Sequence, residues 1–421
     1  MEYQETSIGK IPSDWEVLSL GNVASFKNGI NFNNDQKGEK GYPTVDVLNM
    51  YGNNINVDLE QLYRVDISLN KKEYLLKKGD VLFVRSSLKK EGSGWASLFK
   101  GSDEPVTFCG FIIRARINKE NITPEFLTYF LRSDTARNKL INSSGKVTIS
   151  NITQDSLKIL KIPVPPIYEQ EKIADILSRT DQAIQKSKEI IAKSERIKIG
   201  MMQKLLTEGM GHDEFKEVDI WIKKFMIPKE WNLLKFKDIS TVRQGLQIAI
   251  NKRFKEPGKN RHQYITVQYL NDPENFQYYV ENPPKSVICT KNDILMTRTG
   301  NTGMVITDQE GVFHNNFFLV DFNRKLVNKD FLNHYLSWHF IKKYLKIKAG
   351  TTTIPDLNHE DFYSAEFICP PLNEQEKISQ ILNEIDQKVR IEKVRKNKLQ
   401  NIKKGLMNDL LTGHKRVQVN N

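Results

Sequence analysis

The second half of this chain repeats its first, and a duplicated chain must solve one folding problem twice. Ile11-Pro12-Ser13-Asp14-Trp15 returns as Ile227-Pro228-Lys229-Glu230-Trp231, an offset of 216. Gly79-Asp80-Val81-Leu82-Phe83-Val84-Arg85 is echoed by Asn292-Asp293-Ile294-Leu295-Met296-Thr297-Arg298 at 213. Gly145-Lys146-Val147-Thr148-Ile149 matches Gly350-Thr351-Thr352-Thr353-Ile354 at 205. The clearest match, at the same 205, joins Pro165-Pro166-Ile167-Tyr168-Glu169-Gln170-Glu171-Lys172-Ile173 to Pro370-Pro371-Leu372-Asn373-Glu374-Gln375-Glu376-Lys377-Ile378. It holds through Leu205-Leu206-Thr207 and Leu410-Leu411-Thr412. The falling offset places net deletions in the second copy.

Each copy has two parts. The first mixes short apolar runs, such as Val81 to Val84, with Gly, Asn and Asp turn signals, and adds a few helices such as Pro124 to Leu140. The second carries no Pro, almost no Gly, and apolar residues at helical spacing. In the first copy Ile176, Ala183, Ile190 and Ile197 step by seven, as do Leu177, Ile184, Ile191 and, after Lys198, Leu205. In the second, Ile378, Ile385, Leu399 and Leu406 do the same. Seams sustained over several heptads predict long coiled-coil helices. The double prolines set their starts and Gly209 and Gly413 their stops. The predicted pairing residues are Ile176, Ile184, Ile191, Ile385, Leu399 and Leu406. The fold class expected is α+β: two pseudo-symmetric mixed α/β heads separated by a long antiparallel two-helix coiled coil. The division is residues 1–162 and 211–368 for the heads, 163–210 and 369–421 for the helices.

Composition narrows the partners. The 421 residues carry a net charge of +12, which favours an anionic partner, with nucleic acid foremost. Each head is net +4 and the second helix +5. Positive residues gather in loops, Arg85-Ser86-Ser87-Leu88-Lys89-Lys90, Lys252-Arg253-Phe254-Lys255 and Arg298-Thr299-Gly300-Asn301-Thr302-Gly303. Such loops suit base reading, since Arg forks onto guanine and Asn pairs with adenine. The three cysteines stand far apart, which predicts reduced thiols, a cytoplasmic location and no metal site. No apolar run is long enough to span a membrane, and the first residues lack a secretory signal. No phosphate-binding loop, nucleophile elbow or paired-histidine metal motif is present, so no catalytic role is expected of this chain. Asn282-Pro283-Pro284-Lys285 is close to the Asn-Pro-Pro-aromatic string of amino-methyltransferases acting on bases, but lysine stands where a stacking ring is needed. It is read as a turn.

Taken together, the two Ile-Pro-x-x-Trp openings, the two Pro-Pro-x-x-Glu-Gln-Glu-Lys-Ile strings and the two Leu-Leu-Thr helix ends resemble the DNA-specificity subunit of type I restriction–modification systems. The likeness spans nearly the whole chain. It implies that each head is a target-recognition domain reading one half of an asymmetric bipartite site in double-stranded DNA. It implies also that the helices space the half-sites and dock two methyltransferase subunits and ATP-dependent restriction subunits. The assembled complex would methylate adenine at N6 and cut DNA. S-adenosylmethionine, ATP and Mg2+ would sit on those partners, with no cofactor on this chain. The residues expected at DNA are Arg85, Lys89, Lys90, Trp95 and Lys146 in the first head. In the second they are Arg298, Asn301, Thr302, Lys348 and Thr351. The competing reading, a coiled-coil scaffold with no nucleic acid role, accounts for the helices but not for two heads with matched basic loops.

Overall fold

The structure is a computed structural model and describes residues 2–52, 54–67, 72–143, 150–350 and 355–417. The chain divides into two compact units, one of residues 1–189 with 392–421, the other of residues 190–391. Each unit therefore holds one head and one end of each long helix. The helices run Ile167–Leu205 and Leu372–Leu411.

In the first head, strands β1 (Ala24–Asn28), β2 (Val81–Val84), β3 (Ala96–Leu98) and β4 (Ile112–Ile117) form an antiparallel sheet ordered β3-β2-β4-β1. In the second head, β5 (Ser240–Gln244), β6 (Ile294–Thr297), β7 (Val305–Ile306) and β8 (Phe317–Phe322) repeat that order as β7-β6-β8-β5. β2 and β6 are buried along their whole length, as apolar runs without alternation must be. A smaller sheet in each head contains a parallel pair, Tyr42–Val45 with Thr107–Phe108 and Arg261–Ile265 with Gly311–Phe313. Apolar clusters built on Leu82, Val84 and Phe108, and on Leu295, Phe313 and Leu319, join the two sheets of each head.

The main core of each head continues into its helix ends. Trp15, Phe83, Phe126 and Phe130 pack with Ile173, Leu177, Leu410 and Leu411. Trp231, Met296, Phe331 and Tyr335 pack with Leu205, Leu206, Ile378 and Leu382. A head and its helix ends are thus one folding problem, since each such side chain is worth roughly 1.5–3 kcal/mol of transfer free energy when buried.

The repeated Pro-Pro-x-x-Glu-Gln-Glu-Lys-Ile string makes this junction. Each helix opens directly after the double proline, where a missing N–H costs no hydrogen bond. Gln170, fully buried, accepts from the Thr123 backbone N–H at 2.8 Å and donates to the carbonyls of Asn121 and Pro165. Gln375 accepts from the Asn328 N–H at 2.8 Å and donates to the carbonyls of Leu326 and Pro370. Thr123 and Asn328 are the N-caps of the head helices Pro124–Leu131 and Lys329–Ser337, so each glutamine ties a head helix to a long one. Glu169 and Glu374 accept from the indole N–H of Trp15 and Trp231, both at 3.0 Å. Glu171, Lys172, Glu376 and Lys377 point to solvent, while Ile173 and Ile378 are fully buried.

The helix ends return to the same place. Gly413 (φ +71°) leaves the second helix in the left-handed region, and a Cβ there would strike Pro12. Gly209 (φ +65°) leaves the first helix in the same way, against Trp231. Beyond the glycine, Arg416 forks onto Glu169 (2.7 and 2.8 Å) and onto Asp14 (2.9 and 2.8 Å). Its hydrogen bonds to Glu169 and Asp14 raise the guanidinium pKa further, and Asp14 is held below its ordinary value by Arg416. His212 takes that place in the second unit, between Glu374 (2.7 Å) and Glu230 (3.0 Å).

Within each unit the helix ends run antiparallel. In the first, Glu169 meets Arg416 and Asp181 meets Lys403 at 2.5 Å, with the Tyr129 hydroxyl donating to the same carboxylate at 2.9 Å. In the second, Lys198 meets Asp386 at 2.5 Å beside buried His334, which bonds Asn383 at 2.8 Å. The offset of 205 maps Asp181 onto Asp386, Lys198 onto Lys403 and Tyr129 onto His334. The buried seam of the first helix is Ile173, Leu177, Ile184, Ser187, Ile191, Ser194 and Leu205. Ile184 and Ile191 lie on it, whereas Ile176 is half-buried beside it against the first core. Ile197 is 48% exposed, which corrects its place in the predicted seam; serines at 187 and 194 stand where an apolar search looks for larger residues. Ile385, Leu399 and Leu406 are half-buried on the second helix.

Candidate nucleic-acid interface

Three segments meet at one end of each head. In the first these are residues 46–51, 85–95 and 109–111. Asp46 caps a short turn over Val47–Met50, because its carboxylate accepts from the Val47 N–H at 2.7 Å. The Met50 carbonyl in turn accepts from the Trp95 indole at 3.1 Å, and Tyr51 reaches the Gly92 carbonyl at 3.4 Å. Arg85, just past β2, donates its backbone N–H to Phe111, just before β4. Burial pushes Arg132 down to about 10 and lowers Arg137. Both guanidiniums lie over the Trp95 ring, at 4.6 and 5.6 Å, and bond the carbonyls of Ala96 and Ser93 on either side of it. Trp95 is therefore the anchor under the loop, a role its Gly-x-Gly setting leaves as open as DNA contact.

The second head builds the same end from residues 266–271, 298–304 and 314–316. Thr266 caps Val267–Asn271, its hydroxyl accepting from the Tyr269 N–H at 3.0 Å. Arg298 donates its N–H to the Asn316 carbonyl, as Arg85 does to Phe111. The two arginines then part. Arg298 grips Asp356 with two bonds of 2.9 and 2.7 Å. The equivalent position in the first head is Asn151, and the Arg85 guanidinium bonds only the Gly110 carbonyl, at 3.4 Å, among the contacts described.

The other sequence candidates are scattered about these ends. Lys89 is exposed on the first loop, and Lys90 opens its Lys90–Gly92 turn. Asn301 is exposed at the tip of the second loop, whereas Thr302 is buried and donates to the Arg298 and Pro355 carbonyls. Thr302 thus fixes the loop instead of meeting solvent. Lys348 closes the helix His339–Lys348, 4.0 Å from Asp361. Lys146 and Thr351 lie outside the described residues. Asn282-Pro283-Pro284-Lys285 is a turn, with Asn282 at φ +47°.

Four exposed or half-exposed positions at these ends carry no signal in the sequence alone. They are Leu48, Tyr51, Leu88 and Phe111; Gln268, Asn271 and Asn316 are the counterparts of Leu48, Tyr51 and Phe111. Only the shared hydrogen bonds align them, since the offset between copies drifts from 220 to 205 across them.

One group could hold a metal among the described residues, His212, Glu230 and Glu374. Both ring nitrogens of His212 already face carboxylates, and Arg416 fills the equivalent place in the other unit. The cluster acts as a hydrogen-bonded junction. The three cysteines are free and buried, and among the described residues no helix is long and apolar enough to cross a membrane.

The family model described as "Type I restriction modification DNA specificity domain" matches residues 12–196 and again 228–401. A chain of Methanocaldococcus jannaschii provisionally named the type I restriction enzyme MjaX specificity subunit is 28% identical, over 99% of this chain and 97% of that one. The StySPI specificity subunit of Salmonella potsdam is 24% identical over 88% and 81%. Among solved structures, the S subunit of a type I restriction–modification system from M. genitalium matches with a TM-score of 0.61 at 16% identity, over 96% and 97% of the two chains. With two matches that follow the duplication, one on each head and its helix, this chain belongs to the family of type I restriction–modification DNA-specificity subunits.

Proposed function

We propose that each head reads one half of an asymmetric bipartite DNA site, and that the helices fix the gap between the halves. The observation that carries this is the repeated end of each head, an arginine at the close of a buried central strand, braced on the same hydrogen bond in both copies. Two equivalent readers with different exposed side chains suit two different half-sites. Phosphate contacts from the basic heads would set register without reading sequence. The helices would dock two methyltransferase subunits, and ATP-dependent restriction subunits would join that core. S-adenosylmethionine, ATP and Mg2+ belong to those partners, where an adenine is flipped for methylation. This chain supplies reading and assembly.

The test is to purify the full chain with and without a type I methyltransferase subunit and to map adenine methylation on random DNA. Methylation confined to one bipartite sequence, present only in the mixture, is the expected result. Methylation by this chain alone, or without sequence preference in the mixture, overturns the proposal.

A further inference from the structure

The two heads present opposite chemistry at matching positions of their ends. In the first head Leu48 is 84% exposed, Leu88 86% and Phe111 61%, with Tyr51 beside them. Large apolar side chains so exposed, on three segments joined by hydrogen bonds at one end of the head, mark a surface that meets something. Arg85 and Lys89 flank them on the same loop, so the patch suits an anionic partner with apolar features.

In the second head the same positions hold amides. Gln268 stands for Leu48, Asn271 for Tyr51 and Asn316 for Phe111, and Asn301 is exposed on the loop that corresponds to the one bearing Leu88. The correspondence is structural. Val45 and Ile265 accept from Cys109 and His314, and Arg85 and Arg298 donate to Phe111 and Asn316. Gln268 and Asn316 line a notch of about 300 Å3, together with Arg253 and His314. Arg253 is held by two bonds to the Ile248 carbonyl, so it is preset. Burial and the charge of Arg253 lower the pKa of His314, and its Nδ1 accepts from the Asn316 N–H at 3.1 Å. In the same turn the side-chain oxygen of Asn315 is buried without a partner among the described residues.

In a DNA major groove these two surfaces select different features. The thymine methyl is the one apolar group on a base edge, while an amide pairs with the N6 and N7 of adenine. We propose that Leu48, Leu88 and Phe111 make the first head a reader of thymine methyls, and that Gln268, Asn301 and Asn316 make the second a reader of purine edges, adenine foremost. This rests on the DNA-reading function above and assigns which residues determine each half-site.

The experiment selects duplexes from a random pool with the full chain, alone or with its methyltransferase partner, and then alters the selected DNA. Uracil in place of thymine removes only the methyl. It should weaken binding roughly fourfold per contacted methyl in one half-site and leave the other within twofold. Replacing adenine by 7-deazaadenine removes the N7 acceptor and should weaken the opposite half-site roughly tenfold. The DNA arm leaves the protein untouched, so folding defects cannot imitate the result. In the protein arm, Leu48→Gln with Phe111→Asn should change the preferred bases of the thymine-reading half alone, and Gln268→Leu with Asn301→Leu those of the other half alone. If the chain selects a bipartite motif insensitive to both base analogues, this assignment falls and the DNA-reading function stands. If the head variants lose partner binding while base preference is unchanged, the patch is a protein-docking surface and the assignment again falls. If no duplex is selected, both proposals fall.

Discussion

At the junction with the helices the two units differ in two members, the base and one of its two carboxylates. Arg416 stands between Asp14 and Glu169, and His212 between Glu230 and Glu374. Around them the indole–carboxylate bonds are both 3.0 Å and the glutamine–backbone bonds both 2.8 Å. At the far end of each head the scaffold bonds recur but nearly every exposed side chain has changed character. Buried hydrogen-bonding groups must find partners at fixed places or lose about 1–3 kcal/mol each, and the tryptophan, glutamate and glutamine of this junction recur in both copies. Exposed side chains at a loop tip answer to no such constraint and were free to diverge.

The comparison can be broken most directly at the tryptophans. Trp15→Ala and Trp231→Ala should each cost about 3–5 kcal/mol to the unit concerned, read by urea unfolding monitored by circular dichroism. A cost in one unit less than half that in the other would show that the junctions are not equivalent.

The inter-helix aspartates should separate the units. Asp181 is buried between Tyr129 and Lys403, whereas Asp386 is 40% exposed beside Lys198. Asp181→Ala is expected to cost about 3 kcal/mol and Asp386→Ala about 1 kcal/mol in the same assay. Equal costs would mean that burial does not govern these pairs.

A smaller effect concerns the arginines. Asp356 already neutralises Arg298, whereas Arg85 has no such carboxylate in the contacts described. Arg85→Ala should therefore weaken binding to duplex DNA by roughly fivefold to tenfold and lower the salt slope by about one, with Arg298→Ala below about twofold. Titrations over a salt series decide this, and a larger loss from Arg298→Ala would reverse the ranking.

The smallest effect is in pH. Burial lowers the pKa of His334, so folding favours its neutral form. Its contribution is complete above the unfolded value of about 6.5 and is lost as pH falls below it. Its counterpart Tyr129 is shifted the other way by burial and does not titrate in that range. The second unit should lose more stability between pH 7.5 and 5.5 in the wild type than in His334→Gln. Identical slopes would remove His334 as the cause.

Much of this architecture was legible because it is written twice. Pro165-Pro166 and Gly209 bracket the first helix as their backbone chemistry dictates, and Val81–Val84 is the buried strand its continuous apolar run implies. The helix seam was half legible. Leu177, Ile184 and Ile191 are found by a step of seven, but Ser187 and Ser194 are buried as well, and a search for apolar periodicity passes over serine. Arg298 and Thr302 have the types that suit base contact, yet Asp356 and Pro355, 58 and 53 residues further along the chain, occupy them. Leu48 and Phe111 escaped notice because an apolar residue in a sequence is taken for core until its exposure is known.

The assembly of the units from the chain has a consequence for synthesis. Residues 190–391 are continuous, so the second unit can close as soon as it has left the ribosome. The first unit needs residues 392–421, including the Lys403 that meets Asp181 and the Arg416 that meets Asp14 and Glu169. At roughly 5–20 residues per second, the intervening stretch of about 200 residues takes on the order of 10–40 s. For that interval Ile173, Leu177 and Ile184 lack their antiparallel neighbour, and the part of the protein made first is the part finished last.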